Sequence, residues 1–303
     1  MMVPQRFFPI VKHAARLWLE RDAFQHAAAL GFYTLFSLAP LVIIVVTIVG
    51  AVFGEQAARG EISAAISDLV GPQAAAAVEE AVRRSQLKES GIIPTLLGVA
   101  ALLFGATTVF AQMQSSLNQF WGVKAKPSRS GILTFITVRL LSLSMVLIIG
   151  FLLLTSFVLS LAISGVVTYA KQLIPIPPIV IAGIDLAVSL AVTTLLFGMI
   201  FKVLPDARLR WKDVWRGAFM TAALFAVGKY LISLYLTHVA PASTYGAVGS
   251  LILILLWVYY SSLILFFGTC LTVATIVQRD GAVTPKKTAV RTNVVLEEAE
   301  EAV

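Results

Sequence analysis

Charge is the first thing this chain is short of. Only 13% of its 303 residues are Asp, Glu, Lys or Arg, about half the share of an ordinary soluble domain. Cysteine is nearly absent, and the single Cys270 excludes an internal disulfide framework. The three histidines, His13, His26 and His238, stand far apart in sequence. Neither HExxH nor paired CxxC occurs, so no zinc site is expected. A GxxxxGK[ST] phosphate loop and a GxSxG elbow are also missing, which removes an ATP engine and a serine hydrolase from view. The expectation is no cofactor, no metal and no enzymatic activity.

Apolar residues are in excess. They make up 58% of the chain, and mean hydropathy is +0.89. This excludes disorder, a collagen-like fibre and a coiled coil. A helix needs about 20 apolar residues to cross a bilayer. Six stretches reach that length, at about 28–53, 92–110, 132–163, 178–201, 214–237 and 245–277. They run on without the alternation of a membrane barrel, and backbone in lipid must pair within its own segment. The expected fold is all-α, a polytopic membrane protein of six transmembrane helices. The first run follows an amphipathic arm and is too long for the apolar part of a signal peptide.

Basic residues supply the orientation. Of 23 Lys and Arg, 17 fall in four places: the N-terminal arm, the second-to-third connection with its helix entry, the fourth-to-fifth connection, and the tail. The alternate side holds five: Arg59, Arg83, Arg84, Lys88 and Lys171. The positive-inside rule then places both termini in the cytoplasm. The net charge of +7 is thus a topology signal, and nucleic acid is not an expected partner.

Three regions follow. Residues 1–27 form a cytoplasmic segment with helical, amphipathic spacing. Residues 28–280 form the membrane domain. Within it, 54–91 reads as an external helical hairpin broken at Gly71-Pro72, with apolar stripes at Ile62, Ala65, Ile66, Leu69 and at Ala74, Ala77, Val78, Ala81. Residues 281–303 carry no core-forming pattern and are expected as a mobile cytoplasmic tail.

Ionisable or polar groups inside spans are the candidate site. Asp185 and Lys229 lie at matching depth in the fourth and fifth spans, either as a structural ion pair or as a polar site for an anionic head group. Tyr33 and Ser37 on the first span join Thr107, Thr108, Gln112 and Asn118 on the second, with Arg139 entering the third. They fit a polar cavity, or simply hydrogen bonds between helices. Trp121 and Trp211 suit an interfacial belt. Pro40 is a candidate kink. Tyr245 and Tyr259 add polar groups to the sixth span, and Gly246, Gly249 and Ser250 give it a small-residue packing face.

Several strings resemble a known family. They are Asp22 with His26-Ala-Ala-Ala-Leu-Gly-Phe-Tyr33 and Ser37-Leu-Ala-Pro40, then Leu117-Asn118-Gln-Phe-Trp121. Leu204-Pro205-Asp206 with Trp211 and Gly217 follows, then Tyr245-Gly246-Ala-Val-Gly249-Ser250, Leu256-Trp257-Val-Tyr259-Tyr260 and Gly268. Together they resemble the YihY / virulence factor BrkB family of bacterial inner-membrane proteins, formerly labelled ribonuclease BN. Many relatives carry Gly-Ala-Glu-Leu where this chain has Gly268-Thr269-Cys270-Leu271, so any role of that glutamate is missing here. The resemblance implies six helices, cytoplasmic termini, residence in the bacterial inner membrane, and work in the cell envelope. Transport or flipping of a lipid or other amphiphile is the expected function, with membrane lipids as partners. A non-transporting scaffold that binds envelope proteins is the alternative. The old ribonuclease label finds no metal cluster or acid–base pair in these residues.

Overall fold

The computed structural model describes residues 7–70, 75, 76, 78–80, 92–126, 136–145, 147, 148, 151, 177–239 and 242–292. The described chain is mostly helical. In order it runs α1 (Phe7–Glu20), α2 (Ala23–Phe53), α3 (Glu55–Val70), α4 (Ile92–Trp121), β1 (Val123–Ala125), α5 (Ile136–Met145), α6 (Pro178–Val203), α7 (Trp211–Val239), α8 (Ala242–Asp280) and β2 (Ala289–Arg291).

Each helix is explained by its composition. α6 starts with Pro178 at its first position, where a missing N–H costs nothing and the fixed φ suits a helix. α4 ends at Gly122, whose φ of +64° needs no Cβ. α2 continues through Pro40 for 31 residues. The Pro40 ring packs against Gly105 of α4, where a Cβ would lie 2.9 Å from Pro40 Cγ. Gly105 therefore makes room for the proline.

α6 and α8 contain segments long and apolar enough to cross a bilayer, Leu186–Val203 and Leu251–Asp280. Only 28% and 39% of those segments is buried within the protein, whereas the core helix of a soluble domain is mostly covered. Both helices thus present apolar surface outward. Of the expected third span, the structure describes helix α5 and a few residues after it. The expected outer hairpin supplies α3, while residues 71–74, 77 and 81–91 lie outside the described residues.

α2 packs between α4 and α8, α7 between α6 and α8, and α1 against α8. α7 and α8 touch through small residues. Gly217 faces Thr272 and Gly268 faces Thr221. Each threonine hydroxyl donates to the glycine carbonyl four residues earlier on its own helix, at 2.7 Å for Thr221 and 2.8 Å for Thr272. The hydroxyls are thereby satisfied without water.

One end of the bundle, here called the foot, is closed by backbone. β1 pairs antiparallel with β2, Lys124 opposite Val290. The α6–α7 joint bridges to the same tail: Arg208 N donates to Thr284 O and Lys286 N to Asp206 O, both at 2.8 Å, and Ala207 bridges Pro285. Residues 281–292, expected as the start of a mobile tail, therefore form a strap across the foot. Trp121 also departs from expectation. It is 1% exposed rather than interfacial, buried in one cluster with Val123, Ala207, Val283 and Ala289, because the strap covers it. Its indole N–H has no partner among the described residues.

α1 is amphipathic, as its sequence predicts. It buries Ile10 and Ala14, and the Trp18 indole N–H donates to Leu263 O of α8 at 3.1 Å.

Candidate functional site

A polar cluster sits where α5 meets α4. Thr107 and Thr108 are consecutive in mid-α4. Their hydroxyls donate back along the helix, Thr107 to Leu103 O and Thr108 to Phe104 O, both at 2.6 Å. This leaves their lone pairs facing α5. Arg139 Nη1 donates to Thr107 Oγ1 at 3.0 Å, to Thr108 Oγ1 at 3.1 Å and to Phe104 O at 3.4 Å. The guanidinium carbon sits 4.1 Å from the centre of the Phe104 ring, a cation–π contact. Arg139 is half-buried, while Leu103, Phe104, Ile136 and Leu140 around it are exposed.

Thr107 and Thr108 lie 14 and 13 residues before Trp121, about 20 Å from the end of α4 at 1.5 Å per residue. A guanidinium at that depth in a bilayer costs about 2.5–3.5 kcal/mol on insertion scales. Two hydroxyls, a carbonyl and an aromatic face offset part of that cost. The arrangement holds a fixed positive charge on the outer flank of the bundle, able to meet an anionic group.

Asn118, expected beside Arg139, serves a different joint. Its Nδ2 donates to Asp206 Oδ2 at 2.9 Å, and Asp206 N donates to its Oδ1 at 2.7 Å. This two-way amide contact fastens the end of α4 to the α6–α7 joint. Arg21 caps the same helix end, with Nη1 donating to Gln119 O and Phe120 O, both at 2.6 Å. His26 Nδ1 shares a hydrogen bond with Ser116 Oγ at 3.0 Å, and Gln112 Nε2 reaches the same oxygen at 3.4 Å. Burial lowers the His26 value below its ordinary one, opposed by hydrogen bonding with Gln119 and by the charge of Asp22. Burial likewise lowers Lys286, against the attraction of Asp206.

The remaining candidates are dispersed. Tyr33 is half-buried with its ring edge-on to Phe32. Ser37 is 1% exposed, and its hydroxyl finds no partner among the described residues. Tyr259 packs against the main core. α6 and α7, which carry Asp185 and Lys229, pack side by side. Asp185 stands 18 residues before Val203, and Lys229 stands 18 residues after Trp211, so the helical hairpin brings both to one level. Lys229 is half-buried. The side chains of Asp185, Tyr245 and Ser250 lie outside the described residues, as do the surroundings of Gly246 and Gly249.

One feature lacks a sequence signal of its own, and a second uses the apolar stripes of the expected hairpin. Arg279, one of the tail cations, grips Asp213 with both terminal nitrogens, at 2.5 and 3.0 Å. Hydrogen bonds donated to Asp280 first, then to Asp213, raise the Arg279 value above that of a free guanidinium. At the opposite end, Val42, Val46, Ile62, Ile66 and Val78 line a shallow open recess, with Arg59 and Glu79 in its wall. Among the described residues no three His, Cys, Asp or Glu side chains are grouped to hold a metal ion.

Comparison with known proteins matches residues 14–293 to the family described as Virulence factor BrkB. Among curated relatives, a UPF0761 membrane protein of Pseudoalteromonas translucida is 26% identical over 82% of this chain and 79% of its own length. One of Chromohalobacter salexigens is 25% identical over 88% of this chain and 64% of its own. One of Pseudomonas aeruginosa is 27% identical over 81% of this chain and 57% of its own. The chain thus spans less than two thirds of the last two. No solved structure matches it.

Proposed function

Because the chain belongs to the Virulence factor BrkB family of membrane proteins, we propose that it moves a lipid or other anionic amphiphile across the bacterial inner membrane. The proposed topology has six spans and both termini in the cytoplasm, supported by the division of basic residues, 16 to 5 once Arg139 is set aside as lying within the bilayer. The foot is then the cytoplasmic end. Arg139 carries the functional reading. It is a cation held by Thr107 and Thr108 on a flank otherwise made of exposed apolar side chains. A lipid head group passing along that flank exchanges water for a guanidinium, while its acyl chains stay in the bilayer. The protein performs no covalent chemistry in this reading, and works by two arrangements of its helices.

The test is reconstitution of purified protein in liposomes with a fluorescent anionic phospholipid. A membrane-impermeant reductant reports how fast label crosses between leaflets. The native chain is expected to speed the crossing, and Arg139→Met to slow it by roughly tenfold, since losing one charge-assisted hydrogen bond costs about 1.5–3 kcal/mol. No lipid movement by the native chain, with or without an ion gradient, overturns the reading.

A further inference from the structure

The α6–α7 joint and the start of α7 gather cations, among them Arg210, Lys212 and Arg216, all exposed. The acids nearby do not cancel them. Asp213 is 3% exposed and occupied by Arg279, Asp206 is engaged by Asn118, and Asp280, whose charge reaches Arg210, is held by Arg279. Beside the cations, Trp211, Trp215 and Phe219 follow one another at intervals of four, so they form one stripe along α7. They are 50%, 43% and 54% exposed. The two indoles stack with centroids 6.4 Å apart and 30° between planes. The Lys202 ammonium lies 5.1 Å from the Trp211 ring and donates to Leu209 O at 2.6 Å, so the pair is held in place. Further along α7 the exposed residues Leu224, Val227 and Leu231 are aliphatic.

This order of chemistry mirrors one lipid molecule. Cations and indoles share the first turns of α7, and aliphatic side chains come last. Trp211 to Phe219 spans eight residues, about 12 Å of helix. Indoles settle at the headgroup level of a bilayer, and surface cations draw anionic lipid to a membrane protein.

We infer that this face of α7 is a binding site for one anionic phospholipid, its phosphate between Lys212 and Arg216 and an acyl chain along Trp215 and Phe219. The occupant is anionic because, among the described residues, Asp206, Asp213 and Asp280 each already have a hydrogen-bonding partner, while Lys212 and Arg216 are exposed. The site is separate from Arg139 and rests on the proposed placement of the foot at the cytoplasmic surface, not on transport.

Tryptophan quenching in nanodiscs tests it. The full chain is placed in phosphatidylcholine discs that carry, at equal fraction, brominated phosphatidylglycerol or brominated phosphatidylcholine. The native protein should be quenched more by the anionic lipid. Each basic residue beside an anionic lipid is worth roughly a fivefold preference. Lys212→Gln with Arg216→Gln should therefore lower the preference by on the order of twentyfold, with unchanged helical circular dichroism. Trp211→Phe with Trp215→Phe should remove the lipid-specific part of the quenching while the remaining tryptophans still report. Added salt should erase the preference. Equal quenching by the two lipids in the native chain overturns the site, as does a preference that survives loss of both cations. The assay reads binding without movement, so failure of transport and failure of this site are distinct results.

Discussion

Gly217 and Thr272 share the point of closest approach between α7 and α8: a Cβ on Gly217 would lie 1.9 Å from Thr272 Oγ1. The second contact repeats the arrangement with roles exchanged, a Cβ on Gly268 falling 1.9 Å from Thr221 Oγ1. Each helix supplies one notch and one hydroxyl knob, so both must separate together. Gly217→Val should lower stability by about 1–3 kcal/mol, as overpacking of a tight contact does. Thermal melting in detergent would show it as a lower midpoint. Gly217→Ala combined with Thr272→Ala should recover part of the loss. Unchanged melting of Gly217→Val would remove the contact from the account.

Asp213 and Asp280 both meet Arg279, but from different surroundings. Asp213 is 3% exposed and Asp280 is 43% exposed. A carboxylate left buried without its cation is costly, whereas a surface pair is worth little. Arg279→Gln and Asp213→Asn are each expected to lower the melting midpoint clearly, because either change leaves the buried contact half-made. Asp280→Asn should melt close to the native protein. Equal effects of the two aspartates would contradict this ranking.

His26 gives the fold a slope with pH. Burial holds its folded value below the unfolded value of about 6.5. Between those two values the folded chain binds fewer protons than the unfolded one, so stability rises with pH there. It is full above about pH 6.5 and declines as pH falls through the window below. Melting midpoints at about pH 7.5 and about pH 5.5 should differ, and His26→Gln should reduce the difference. A slope unchanged by that substitution would assign the effect to other groups.

The strap across the foot makes a fourth expectation. Lys126 N donates to Thr288 O, and Thr292 N to Gly122 O. Ala289→Pro removes the N–H that Ala289 donates to Lys286 O at 3.0 Å, in the turn that leads into β2. The expected result is faster cleavage by trypsin at Lys286, Lys287 and Arg291 at native temperature. Cleavage at the native rate would mean that this turn contributes nothing to protection.

The helical body is legible in the sequence because apolar runs of bilayer length have few other uses. Arg139 and its threonines are legible as polar interruptions, although their meeting depends on how α4 and α5 cross. Asn118 with Asp206 is not legible. The two residues are 88 positions apart, and a single sequence carries no sign of which amide meets which acid. Trp121 misleads because an indole near a helix end reads the same whether it faces lipid or lies under a strap. The strap escapes because strands of three residues are too short for any periodicity. Arg279 counts as one more tail cation until Asp213 is seen beside it. Gly217 and Gly268 stand out only as letters of a pattern until the threonines opposite explain them.

α1 precedes the other described helices in the chain, and it packs on α8, which follows them. The Trp18 indole waits for Leu263, 245 residues later in the chain. β1 likewise waits for β2. Neither contact can form until α8 and β2 have been made, so both close after the intervening helices exist. A chain that stalls before α8 leaves α1 with its buried face, Ile10 and Ala14, uncovered at the membrane surface, a recognisable mark of an unfinished protein for the cell's quality-control proteases.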